Sequence, residues 1–151
     1  MELMETLNNR ALYLKRLAIL AIVIAFVGFV DATFLTAEHY LDGPIPCSIT
    51  EGCEIVTTSK FSVLFGLPIA LYGALFYVSI IVLSILYLDK KNERMLKLAA
   101  YFASIAFVVS LGLVGIQAFV LHAYCFYCLM SAFLSTLLFV NGRFMLKFSL
   151  K

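Results

Sequence analysis

The chain has 151 residues, of which 64% are hydrophobic and 13% charged, with a net charge of +2; its mean hydropathy is +1.04. So small a charged share cannot cover the surface of a soluble domain of this size, and the composition is that of an integral membrane protein whose main partner is the lipid bilayer. The Lys and Arg residues lie in small clusters rather than a basic run, which speaks against nucleic acid, and there is no Gly-rich phosphate loop or HExxH helix.

The first nine or so residues are polar and read as frayed or lying on the membrane surface. Four apolar stretches follow, at about 17–37, 65–88, 95–121 and 126–146. At about 1.5 Å per residue, each reaches the ~30 Å of the hydrocarbon core. The fourth is interrupted by Asn141 and Arg143 near its end, where an arginine can snorkel to the interface. The motif Val30-Asp31-Ala32 loosely resembles a signal-peptide cleavage site, but the apolar stretch is longer than an h-region and lacks a clear A-x-A, so the first span is read as retained. Every Lys and Arg except Lys60 falls in the N-terminal segment, around the connection between the second and third spans, or in the tail. By the positive-inside rule both ends are cytoplasmic, and the first and third loops face outward. The expected fold is therefore all-α: one four-helix membrane bundle over residues 1–151, N-in and C-in.

The first outer loop, about 41–64, opens with the turn-forming run Asp42-Gly43-Pro44-Ile45-Pro46. From Glu54 to Leu64 apolar and polar residues mix, which predicts a short amphipathic lid helix at the membrane surface. Gly66 and Pro68 then open the second span, with the proline in its first turn. Gly112 and Gly115 in the third span are expected to allow close packing against a neighbour or a ligand.

The chain's four cysteines form two close pairs, Cys47/Cys53 in the first outer loop and Cys125/Cys128 at the outer start of the fourth span. Cys125-Phe126-Tyr127-Cys128 is a C-x-x-C at a helix N-terminus, where unpaired N–H groups and the helix dipole stabilise a thiolate. A stabilised thiolate is both a leaving group and a nucleophile, as a reversible, catalytic disulfide requires. For Cys47/Cys53 two readings stand: a staple for the loop, or a redox pair exchanging with the C-x-x-C on the same face. A tetrathiolate zinc site is disfavoured, because such sites usually stabilise small soluble modules and a bundle already does that here; no metal is assigned. With no flavin, nicotinamide or haem pattern, a thiol pair one turn inside the membrane rim points by position to a lipid-soluble oxidant, a quinone of the menaquinone, ubiquinone or vitamin K type. The rival reading is a non-enzymatic membrane scaffold whose disulfides brace its outer loops.

Cys47-x5-Cys53, Ser59-Lys60-Phe61, Phe65-Gly66-Leu67-Pro68, Ala70, Gly73 and the late Cys125-x-x-Cys128 together resemble the vitamin K epoxide reductase family, in its prokaryotic disulfide-generating branch. Leu35-Thr36 and His39-Tyr40 are also similar to that branch. In the functionally similar DsbB-like proteins, by contrast, the C-x-x-C lies in the first outer loop. The resemblance implies catalytic roles for Cys47, Cys53, Cys125 and Cys128. Electrons would pass from a thioredoxin-fold (DsbA-like) donor to Cys47, from Cys53 to Cys125, and from Cys128, in charge-transfer or covalent contact, to the quinone. It also implies that the Ser59 hydroxyl polarises a quinone oxygen. Many prokaryotic members carry a fused thioredoxin-like domain; here a separate protein is the expected donor. The implied output is disulfide formation in exported proteins at the plasma membrane, with epoxide or quinone reduction as a further reading served by the same residues.

Two other residues join the cofactor-site expectation. Asp31 is an acid within the first span. His122, three residues before Cys125, could supply a proton or stabilise a thiolate, although both residues also fit plain interfacial positions. Tyr72, Tyr124 and Tyr127 read as interfacial belt or packing, and Gln117 as a hydrogen-bonding link between helices.

Overall fold

A computed structural model describes residues 1–41 and 52–149. Four helices are long and apolar enough to cross a membrane. They are α1 (Glu2–Leu41), α3 (Ile69–Lys90), α4 (Glu93–Ile116, continued by a π-turn at Gln117–Leu121) and α5 (Phe126–Ser149); the short α2 (Cys53–Thr57) lies between α1 and α3. The chain is a multi-pass, all-helical membrane protein.

One face of α1 carries Ala18, Ala21, Ala25 and Ala32, all essentially buried. Small residues at helical spacing let backbones approach closely, which drives association where lipid removes the hydrophobic incentive between helices. At Gly28 on the same face, a Cβ would lie 2.3 Å from the Tyr77 ring, so only glycine admits α3 here. Gly142 does the same for α5 against Ala100 of α4, at 3.0 Å. At Gly112 and Gly115 a Cβ would meet nothing within 4 Å, so no helix of the described residues packs on either. Spacing alone cannot tell a lipid-facing glycine from a packed one.

Polar side chains tie the helices together. Asn141 is buried and its Nδ2 donates to Leu17 O at 3.0 Å, so the residue that interrupts the fourth apolar stretch anchors α5 to α1. Ser135 Oγ donates to Ser110 Oγ at 2.9 Å between α5 and α4. At the end opposite the cysteines, Arg10 pairs with Glu93 at 3.3 Å and donates to Ser149 O at 3.0 Å, while Ser149 Oγ donates to Glu93 at 2.7 Å. These contacts join the first part of α1 to the start of α4 and the end of α5. Residues 2–9, expected to fray, continue α1 as helix.

The lid is the largest departure from expectation. Instead of one helix over residues 54–64, α2 stops at Thr57. A 3₁₀ turn (Lys60–Ser62) follows, and then a two-residue hairpin of β1 (Val63–Leu64) and β2 (Leu67–Pro68). Three consecutive hydroxyls explain the stop: Thr57 donates to Cys53 O, Thr58 to Glu54 O and Ser59 to Val56 O, at 2.8, 2.6 and 2.7 Å. Such side-chain bonds offer the backbone an alternative to continued helix. Phe65 and Gly66, with φ of 53° and 82°, make the reversal. Pro68 consequently closes β2 and caps α3 rather than sitting inside its first turn.

Candidate functional site

The motif Cys125-x-x-Cys128 sits where the chain re-enters the bundle. After the π-turn, His122 adopts a left-handed φ of 48°. The backbone N–H groups of His122 and Ala123 both donate to Gln117 O, which stops the helix and turns the chain back. The side chain of Gln117, 4% exposed, then accepts from the Cys125 backbone N–H at 3.1 Å. This fixes the backbone of the first cysteine without involving its sulfur.

Since α5 begins at Phe126, Cys125 occupies the N-cap position and Cys128 the third helical position. The Cys128 backbone N–H donates to Cys125 Sγ at 3.4 Å, so sulfur takes the role that serine or aspartate oxygen usually plays at a helix start. Cys125 is fully buried, yet its thiol is pulled down to about 7. The hydrogen bond from the Cys128 side chain is the chief cause, with the backbone N–H groups of Cys128 and Tyr127 adding to it against the opposing effects of burial and of the Asp31 charge.

Cys53, the first residue of α2, is 1% exposed and packs in one cluster with Val56, Ala123 and Cys125. Gly52 makes this approach possible: a Cβ there would lie 2.8 Å from both N and O of Tyr124, so any side chain would push α2 away from the cysteine turn. Cys53 is disulfide-bonded, whereas Cys125 and Cys128 are free thiols. Cys47 lies outside the described residues.

On the other side of the motif, Cys128 lines a cavity of about 390 Å³ enclosed by α1, α2, α3, α4 and α5. Its walls are mainly apolar. Polar groups reach them at a few points, among them His39, Ser59, Tyr77, Gln117 and Ser131. Size and lining fit a small, largely apolar ligand with a few polar atoms. The Ser59 hydroxyl borders the cavity with its proton engaged by Val56 O.

Residues 19–141 match the Vitamin K epoxide reductase family. The chain belongs to that family. No curated protein matched the chain in a separate comparison. Family membership makes it an oxidoreductase of the membrane thiol–disulfide class, and the site supplies the thiols such chemistry needs: Cys53 buried against Cys125, and Cys128 on a cavity wall.

Of the residues singled out from sequence for the cofactor, Cys128 and Ser59 border the cavity while Asp31 and His122 do not. His122 is exposed and serves as the helix-ending residue of the π-turn. Asp31 lies close enough to the thiols for its charge to act on Cys125. Gln117, read from sequence as a link between helices, joins the end of α4 to the start of α5 through the Cys125 N–H. His39 borders the cavity too; in the sequence it stands out through the likeness of His39-Tyr40 to the prokaryotic branch.

Proposed function

We propose that the chain is a quinone-coupled thiol oxidase acting at the outer face of the cell membrane. It takes electrons from a separate thioredoxin-fold protein through Cys47/Cys53, passes them to Cys125/Cys128 and delivers them to a membrane quinone, and so supports disulfide formation in exported proteins. The observation that carries this reading is the position of the C-x-x-C between two surfaces. Cys125 packs against Cys53 in a buried cluster, while Cys128 faces an apolar cavity.

Each residue has a definable task. Cys47 meets the donor's thiols. Cys53, released as a thiolate, attacks Cys125 of the oxidised inner pair, and Cys128 leaves as the second sulfur. The N–H groups around Cys125 stabilise its thiolate when Cys47 resolves the mixed disulfide, which lowers the barrier to both attack and departure. Gln117 holds the Cys125 backbone in place through these exchanges. A bound quinone supplies the two-electron acceptor; Cys128, Ser59 and the apolar walls of α3 and α4 would hold its ring. Donation from Ser59 to a carbonyl oxygen requires its hydroxyl to turn away from Val56 O.

A braced scaffold would instead keep its disulfides closed and resistant to mild reductant. The test is turnover in detergent with a reduced thioredoxin-fold protein and a soluble quinone analogue, followed by quinone absorbance. Cys128→Ala is expected to abolish quinone loss. Cys47→Ala and Cys53→Ala are expected to abolish oxidation of the protein donor while leaving reaction with a small dithiol. Wild type inert towards several quinones and donors would overturn the proposal.

A further inference from the structure

Asp31 has no place in the relay just described, yet its position is unusual. It lies within α1, and its Oδ2 is buried with no hydrogen-bond partner. Two contacts fix this part of α1 against the thiols. One turn inward, Gly28 receives the ring of Tyr77, whose hydroxyl bonds Ser131 O and Oγ at 3.0 and 2.9 Å, three residues beyond Cys128. One turn outward, the Phe34 ring packs on Tyr127, inside the C-x-x-C, with ring centroids 5.2 Å apart. Asp31, between Gly28 and Phe34, is thus held at the junction of α1, α3 and the start of α5. Asp31 is not part of the cavity wall.

The titratable groups that face Asp31 are Tyr77 from α3 and Cys125 and Cys128 from the start of α5. The basic residues of α1 (Arg10, Lys15 and Arg16) are fifteen or more residues inward, over about 20 Å along the helix. His39 and Glu38 are about two turns outward. Burying a carboxylate oxygen without a donor or a cation costs free energy that a bound proton removes. The thiols, for their part, gain and lose protons whenever the pair is reduced or oxidised.

We infer that Asp31 is the proton-exchanging group of the Cys125/Cys128 pair, ionised when the pair is a dithiol and protonated when it is a disulfide. The inference rests on the relay reading above. When Cys53 attacks Cys125, the Cys125–Cys128 bond breaks and its electron pair leaves on Cys128. The Asp31 carboxylic acid gives that sulfur its proton and becomes a carboxylate. When the pair is reoxidised, the Cys125 thiolate and the Cys128 sulfur rejoin, two electrons pass to the quinone, the Cys128 proton returns to Asp31, and the two protons that complete the quinol come from water.

Thiol chemistry tests this without quinone turnover. Alkylation of Cys125 by iodoacetamide, read by mass spectrometry across pH in wild type and Asp31→Asn, gives the thiolate midpoint. The isosteric amide keeps the packing and removes the charge that opposes the thiolate. The midpoint is expected to fall, raising alkylation at pH 6 about threefold, the effect of about half a pH unit on the thiolate fraction. Asp31→Glu should restore the wild-type profile. An infrared redox difference spectrum of wild type provides a second measurement that needs no variant. A carboxylic acid C=O band should appear on oxidation of the pair. A midpoint unmoved in Asp31→Asn, or a difference spectrum without a carboxyl band, overturns the inference. Neither result bears on the relay, which stands or falls with the cysteine variants.

Discussion

Cys125 shows how a single backbone position sets the chemistry of a side chain. A buried thiol would ordinarily resist ionisation, because taking a thiolate out of water is costly. At the N-cap of α5 its sulfur meets the N–H of Cys128 and the Cys128 thiol, and these outweigh burial. The sign for pH dependence follows: the thiolate predominates above about 7 and is lost as pH falls through that value, instead of near the ordinary 9.0. Cys128→Ser exchanges the thiol hydrogen bond, the largest cause, for a hydroxyl, and so probes the two neighbours separately. We expect iodoacetamide alkylation of Cys125 to be half-maximal near pH 7 in wild type. In Cys128→Ala, which has no side-chain donor, the midpoint should rise towards the ordinary thiol value. An unchanged midpoint would mean that the backbone N–H groups alone stabilise the thiolate. The C-x-x-C and its helix start were legible in the sequence. That Gln117 links helices was legible too; which backbone group it holds was not, because only the turn after Leu121 brings the Cys125 N–H onto its side chain.

At the scale of elements, the segment from Gly52 to Pro68 decides how the two cysteine regions meet. An amphipathic pattern over residues 54–64 suggests helix, but the hydroxyls of Thr57, Thr58 and Ser59 bond back to the carbonyls of α2 and end it after five residues. That early stop leaves Val56 and Ser59 at the cavity while Cys53 stays in the cysteine cluster. Gly52 lets the start of α2 lie on the backbone of Tyr124. Gly52→Ala should therefore lower stability by about 1–3 kcal/mol, as overpacking generally does. It should also slow thiol–disulfide exchange between the loop and Cys125. Stopped-flow oxidation of a reduced donor, with thermal unfolding in detergent as the companion measurement, checks both. Normal exchange in a destabilised variant would show that the approach of α2 to Tyr124 does not govern transfer.

For the whole molecule, the site depends on how closely four helices come together along their length. The alanine face of α1, Gly28 beneath Tyr77 and Gly142 against Ala100 set those distances. Tyr77 connects this packing to the site, since its hydroxyl holds Ser131 on the same helix as Cys128. In Gly28→Ala the new methyl group meets the Tyr77 ring, and a loss of about 1–3 kcal/mol is expected from the forced displacement. Adding Tyr77→Leu removes the obstructing ring and should recover part of that loss. Such non-additivity is what a double-mutant cycle reads for residues in contact. Thermal unfolding of the four proteins in one detergent measures it, and strictly additive losses would contradict direct packing between the two positions.

The sequence by itself determined the class of molecule. Hydropathy marks four spans because a bilayer admits only long runs of apolar residues whose backbone is satisfied internally. Two cysteine pairs beside those spans, with Ser59 and Phe65-Gly66-Leu67-Pro68, carry the family. These are local or compositional properties and can be read along the chain. Only the tertiary structure decided which small residues pack, which polar groups find partners, and what each side of the thiol pair faces. It left Gly112 and Gly115 without a packed neighbour among the described residues, buried Gly28 and Gly142, turned Gln117 onto Cys125, and buried an Asp31 oxygen without a partner while Cys128 faces the cavity. The reason is physical: within an apolar span, lipid and a neighbouring helix are nearly equivalent surroundings. The sequence pattern therefore says little about which face meets which, and packing geometry alone resolves it.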